Sequence, residues 1–104
     1  MPSKLIKLYP LNASSVLNTS FRELHKLGVL VLVDGAHGAG QLDLNLENLG
    51  VDFYTGNLHK WCYCPRGAAF LWASATHRDL IQPLVTSWNY KKSFSDQFFF
   101  QVTK

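Results

Sequence analysis

Charge is scarce in this chain. Only 16% of its 104 residues are Asp, Glu, Lys or Arg, against 47% apolar. That balance is rich in core-forming residues and poor in solubilising ones for so short a sequence, and suggests a piece of the interior of something larger. Dense basic stretches are missing as well. The net charge of +3 comes from scattered residues such as Lys4, Lys7, Lys91 and Lys92, so no nucleic-acid partner is expected. Cysteine is almost absent: Cys62 and Cys64 are too few for a secreted disulfide scaffold, and one residue apart they are awkward to bridge. A reduced, cytoplasmic setting is expected. No apolar run reaches membrane-spanning length, and the first residues, "MPSKLIKLYPLNASS", lack the sustained apolar stretch of a secretory signal. No membrane partner is expected, and the glycosylation patterns at Asn12 and Asn18 read as chance. Repeats and low-complexity linkers are missing too. The length fits one domain at most.

What is present alternates between helical and strand-like signals. The segment 1–18 is the least readable, with an apolar run, "LIKLYPL", broken by Pro10. In "NTSFRELHKLG", Ser20 and Glu23 have capping-box spacing, Phe21, Leu24 and Leu27 recur at helical intervals, and Gly28 supplies a stop. A short amphipathic helix is expected there. "VLVLV", residues 29–33, then reads as a strand buried on both faces. Helix followed by buried strand is the rhythm of a parallel α/β sheet.

That strand ends at Asp34, and "GAHGAGQ" follows, a glycine-rich turn. "LDLNLENLG" reads as a helical turn, "VDFYTG" as a second strand, and "AAFLWA" as a further buried strand. Thr76 and Asp79 have capping-box spacing for a helix over "HRDLIQPL", and the aromatic tail from Ser87 has no clear period.

Asp34 and Lys60 both fall just past the ends of strand candidates, so a parallel sheet can present both to one crevice, where ligands bind in such folds. On spacing alone, an ordinary salt bridge or two exposed side chains is the simpler reading. The pair also suits pyridoxal phosphate. A lysine amine forms a Schiff base with its aldehyde, and a carboxylate keeps its pyridine nitrogen protonated. Cys62 and Cys64 lack structural zinc spacing with the neighbouring histidines, so no metal is expected and buried structural thiols are the default. Trp61, Phe70, Trp72 and Trp88 read as packing, and His25 and His77 as surface residues.

"VLVDGAHGAGQ", "VDFYTGNLHKW", "PRGAAFLW" and "PLVTSW", in that order, resemble the class V aminotransferase family of pyridoxal-phosphate enzymes, fold type I. Within it the likeness is greatest to isopenicillin-N-epimerase-like proteins. The resemblance implies an α/β fold, part of the fold type I large domain with a mostly parallel sheet and flanking helices. Residues 1–104 would then be the central part of that domain, with the smaller C-terminal domain absent. It implies that Lys60 is the Schiff-base lysine and Asp34 the partner of the pyridinium nitrogen. His37 would lie near the cofactor's phenolic oxygen, and His59 and Asn57 near its phosphate. Thr103 would reach a phosphate across a dimer interface, although "QVTK" departs from the family's Gly-Thr at Val102.

A lysine walled by apolar groups beside His59 would have its charged form disfavoured by desolvation. The substrate would be a small amino-acid-like molecule and the full-length protein a homodimer, acting by epimerisation, lyase chemistry or transamination. Neither the upstream phosphate loop, nor the ring-stacking aromatic, nor the substrate-holding arginine of the family is found here. The alternative is therefore a catalytically inactive fragment, or a binding partner of a full-length relative.

Overall fold

The structure is a computed structural model that describes residues 3–7 and 14–85. The described residues fall into two units, one ending at Ser74 and one beginning at Ala75. In the first, strand β1 (Ser3–Lys7) leads to helix α1 (Ser14–Lys26) and strand β2 (Leu30–Asp34). A single turn α2 (Leu46–Leu49), strand β3 (Phe53–Asn57), a single turn α3 (Leu58–Trp61) and strand β4 (Ala69–Ala73) complete it. The four strands form one sheet in the order β1-β2-β3-β4. β1, β2 and β3 are parallel, and β4 runs antiparallel to β3. The connection from Leu58 to Ala68 is too short for the crossover of a dozen or more residues that a parallel neighbour needs, so the chain turns back. The α/β architecture is the expected one, with a mixed sheet.

β1 lies in the segment whose signal was weakest. Its sequence, "SKLIK", has only the adjacent pair Leu5 and Ile6 between two lysines, too short an apolar run to mark a strand. Helix α1 begins at Ser14, well before the expected cap, and Ser20 lies inside it. Glu23, rather than reaching back to Ser20, accepts a hydrogen bond from Lys26 Nζ at 2.8 Å. The weak helix formers Asn18, Thr19 and Ser20 are carried by packing, because Phe21 is fully buried against the sheet and Leu24 packs beside it. The end is as expected: Gly28 follows with φ 69°, and its N–H bonds the carbonyl of His25 at 2.9 Å.

The core joins Phe21 to Val31, Val33, Val51 and Tyr54, with Phe70 and Trp72 packed against it. Val33 pairs with Tyr54 and Tyr54 with Trp72 across the sheet, so these side chains share one face. Phe70 stacks on Tyr54 with ring centroids 6.1 Å apart and planes 14° apart. The other face of β2, carrying Leu30 and Leu32, is half-buried. β4 was expected to be buried, yet it alternates exposed and half-buried positions, with Leu71 51% exposed.

Buried Asp52, just ahead of β3, ties the amino end of the sheet. Its Oδ2 accepts hydrogen bonds from the backbone N–H of Val31 at 2.6 Å and from His25 Nε2 at 2.9 Å. His25 is therefore exposed at the surface but not idle. In the second unit, the helix expected over "HRDLIQPL" is only a 3₁₀ turn, Arg78–Leu80, preceded by His77 without a side-chain cap. Thr76 Oγ1 lies 3.2 Å from His77 Nδ1 instead. The turn ends at Ile81, which is already extended with φ −80° and ψ 113°, two residues ahead of Pro83. No helix among the described residues is long and apolar enough to cross a membrane.

Candidate active site at the carboxyl ends of β2 and β3

Asp34 is the last residue of β2, and Asn57, the last of β3, runs directly into α3 with Leu58, His59, Lys60 and Trp61. Asp34 pairs in register with Thr55 of the neighbouring parallel strand. Both groups therefore emerge at the same, carboxyl edge of the sheet, where the strands leave a crevice for ligands. The side chain of Asp34 is half-buried, and its Oδ1 accepts from the N–H of Ala36 at 3.2 Å. Its Oδ2 makes no hydrogen bond within the described residues, which leaves one carboxylate oxygen for another donor.

The loop after Asp34 is held over Tyr54. The Tyr54 hydroxyl donates to the carbonyl of Gly35 at 3.3 Å, and a Cβ on Gly35 or Gly38 would fall 1.9 or 2.1 Å from that hydroxyl oxygen. Only glycine lets the backbone lie this close. Burial, and then the negative charge of Asp34, push the Tyr54 hydroxyl above its ordinary pKa. Further along, Gly40 has φ 82°, and a Cβ there would lie 2.9 Å from the backbone oxygen of Trp61. The loop thus passes directly against α3.

That approach delivers His37 to α3. Lys60 Nζ lies 3.3 Å from His37 Nε2, and Trp61 Nε1 donates to His37 Nδ1 at 3.2 Å. The His37 and Trp61 rings meet at 56°, with centroids 6.5 Å apart. Lys60 is exposed, not walled in by apolar side chains as the sequence suggests, because the single turn of α3 stands past the end of its strand. Trp61 is likewise 45% exposed and is not core packing. His59 turns the other way: its Nδ1 lies 2.9 Å from the carbonyl of Ala68, and a carbonyl only accepts, so Nδ1 carries the proton. Asn57 ends β3 without capping α3 through its side chain. Thr103 lies outside the described residues.

The loop after α3 contains Tyr63, with φ 56°, between the two free thiols. Cys62 and Cys64 are half-buried, and the Cys64 thiol donates to the carbonyl of Cys62 at 3.6 Å. They are less enclosed than structural thiols were expected to be. Among the described residues, no group of three or more His, Cys, Asp or Glu side chains is arranged to hold a metal ion.

Of the residues singled out in the sequence, the structure brings His37 and Lys60 into contact and sets Asp34 at the adjoining strand end. Two partners were missed. Trp61 carries a signal only in its position next to Lys60. Tyr54 carries none, because a tyrosine inside a strand reads as ordinary packing.

Fold and site together define an α/β protein whose lysine, carboxylate and histidine gather at the carboxyl edge of a mostly parallel sheet. The chain belongs to the class V aminotransferase family, whose profile matches residues 16–98. Membership carries the fold type I assignment and, for the family in general, dependence on pyridoxal phosphate. Isopenicillin N epimerase of Streptomyces clavuligerus is 39% identical over 69 residues, covering 66% of this chain and 17% of that protein. The probable chloroplastic L-cysteine desulfhydrase of Arabidopsis thaliana is 43% identical over 61 residues, 55% of this chain and 13% of the relative. Hercynylcysteine sulfoxide lyase of Schizosaccharomyces pombe is 37% identical over 65 residues, 62% and 17% of the two chains. The chain thus spans about a sixth of the length of the curated relatives it matches.

Proposed function

We propose that this chain contributes the cofactor-bearing strand ends of a pyridoxal-phosphate enzyme acting on small amino-acid-like substrates. The observation that carries this reading is the contact of the Lys60 amine with His37, at the same sheet edge as the half-buried Asp34 that ends the neighbouring strand. Lys60 would attach the cofactor covalently at its aldehyde carbon. Asp34, with one oxygen bonded to Ala36 and the other without a partner among the described residues, has an acceptor to offer the pyridinium N–H. A lysine amine and an available carboxylate oxygen suit the group in donor chemistry.

Bound there, the cofactor supplies an electron sink for a bond at the substrate's α carbon. The protein's share of the work is separable. Asp34 holds a proton on the ring nitrogen, His37 places a ring nitrogen at the Lys60 amine, and His59 and Asn57 stand at the end of β3 for the phosphate. His59 Nε2 is the ring nitrogen left for that contact, since Nδ1 is held by Ala68. Relatives named as an epimerase, a desulfhydrase and a sulfoxide lyase are all similar to this chain, which supports assigning the choice of reaction to groups elsewhere in the protein. A cytoplasmic homodimer, with Thr103 reaching across the interface and this chain forming part of the large domain, completes the proposal.

The test is titration of the chain with pyridoxal phosphate followed by absorbance. The reading predicts a saturable change in the visible band that is abolished in Lys60→Ala and weakened at least tenfold, about 1.4 kcal/mol, in Asp34→Ala. A band that survives in Lys60→Ala would contradict it.

A further inference from the structure

His37 is gripped through both ring nitrogens by consecutive residues of one turn: Trp61 at Nδ1 and Lys60 at Nε2. The two contacts are not chemically equivalent. An indole N–H can only donate, so Nδ1 of His37 must accept and cannot itself hold a proton. In the neutral ring the proton is then on Nε2, directed at Lys60 Nζ 3.3 Å away. An ammonium group has donors only and would instead ask Nε2 to accept. The two neighbours therefore ask for opposite tautomers of the same ring: the indole hydrogen is fixed by its own ring and aimed at Nδ1, whereas the exposed amine sits on a flexible stem and can turn or move away.

We propose that Trp61 is a positioning residue that fixes His37 as the Nε2–H tautomer, so that the ring presents a hydrogen-bond donor at the Lys60 amine. The free amine has a lone pair for that N–H, and it is also the form of lysine that attacks a carbonyl carbon. The backbone supports the arrangement: Gly40 lies against the Trp61 backbone, holding the loop that carries His37 to the turn that carries Trp61. The significance of a donor at Lys60 rests on the cofactor reading above, whereas the tautomer itself does not.

The experiment is a long-range proton–nitrogen correlation spectrum of the 104-residue chain without cofactor, at a pH about two units above the ordinary imidazole pKa of ~6.5. The His37 signal is identified by its loss in His37→Gln. The wild-type spectrum is expected to show a bare Nδ1 and a protonated Nε2. In Trp61→Phe, which keeps a ring but removes the indole N–H at a half-exposed site, Lys60 is left as the remaining donor and the major tautomer shifts toward Nδ1–H. In Lys60→Met the wild-type pattern persists. A protonated Nδ1 in the wild type, an unchanged pattern in Trp61→Phe, or a reversal in Lys60→Met would each overturn the proposal. The wild-type spectrum decides even if a variant does not fold. Covalent trapping of the cofactor at Lys60 reads the other claim, and either can fail alone.

Discussion

Single residues do two distinct jobs in this chain, and Asp52 and Tyr54 show them most clearly. Asp52 joins the end of α1 to the start of β2 through one oxygen shared by His25 and Val31. Asp52→Ala leaves a buried backbone N–H without its charged acceptor, a loss of about 2–3 kcal/mol. Asp52→Asn keeps an acceptor and is expected to lose less. Urea midpoints of the two variants measure the difference. Tyr54 supports the loop from Asp34 to Gly38 by its hydroxyl, so Tyr54→Phe is expected to destabilise by about 1 kcal/mol. Its raised pKa has a definite sign. The folded state keeps the phenol proton where the unfolded chain releases it, so its contribution is fully present below the ordinary tyrosine value of about 10 and is lost as pH rises through the folded value. Stability measured above about pH 10 should fall more steeply for the wild type than for Tyr54→Phe.

Elements succeed or fail here by what they pack against. Phe21 is fully buried, so Phe21→Ala should cost about 3–5 kcal/mol in thermal or urea unfolding. Gly40→Ala should force apart the loop and α3, since the new Cβ meets backbone rather than a movable side chain and φ is positive. The readout is loss of the His37–Trp61 contact in the aromatic proton spectrum. β2, β3 and α2 were legible because their apolar runs and turn residues agree with the tertiary fold. β1 was not, because its apolar pair is only two residues long between lysines, and the start of α1 was not, because Val16 and Leu17 are followed by the weak helix formers Asn18, Thr19 and Ser20. The antiparallel sense of β4 depends on the length of one connection, and its exposure on what lies beside it, neither of which its apolar letters encode.

At the scale of the whole molecule, the candidate site was legible as a set of residue types and strand ends, and the structure supplied the contacts. Asp34 and Lys60 could be placed at one edge of a sheet from two strands and a loop. That His37 is the residue touching Lys60, and Trp61 the residue holding His37, required the close passage of the loop past α3. The exposure of Lys60 also required it, since apolar neighbours in sequence are not apolar neighbours in space. The proposal that Lys60 carries the cofactor draws on membership of the class V aminotransferase family and on this geometry. The most direct measurement is to incubate the chain with pyridoxal phosphate, reduce with borohydride and map the adduct by peptide mass spectrometry. An adduct confined to Lys60, and lost in Asp34→Ala, is the predicted result. Labelling scattered over the exposed lysines, or none at all, would contradict a cofactor site at the ends of β2 and β3.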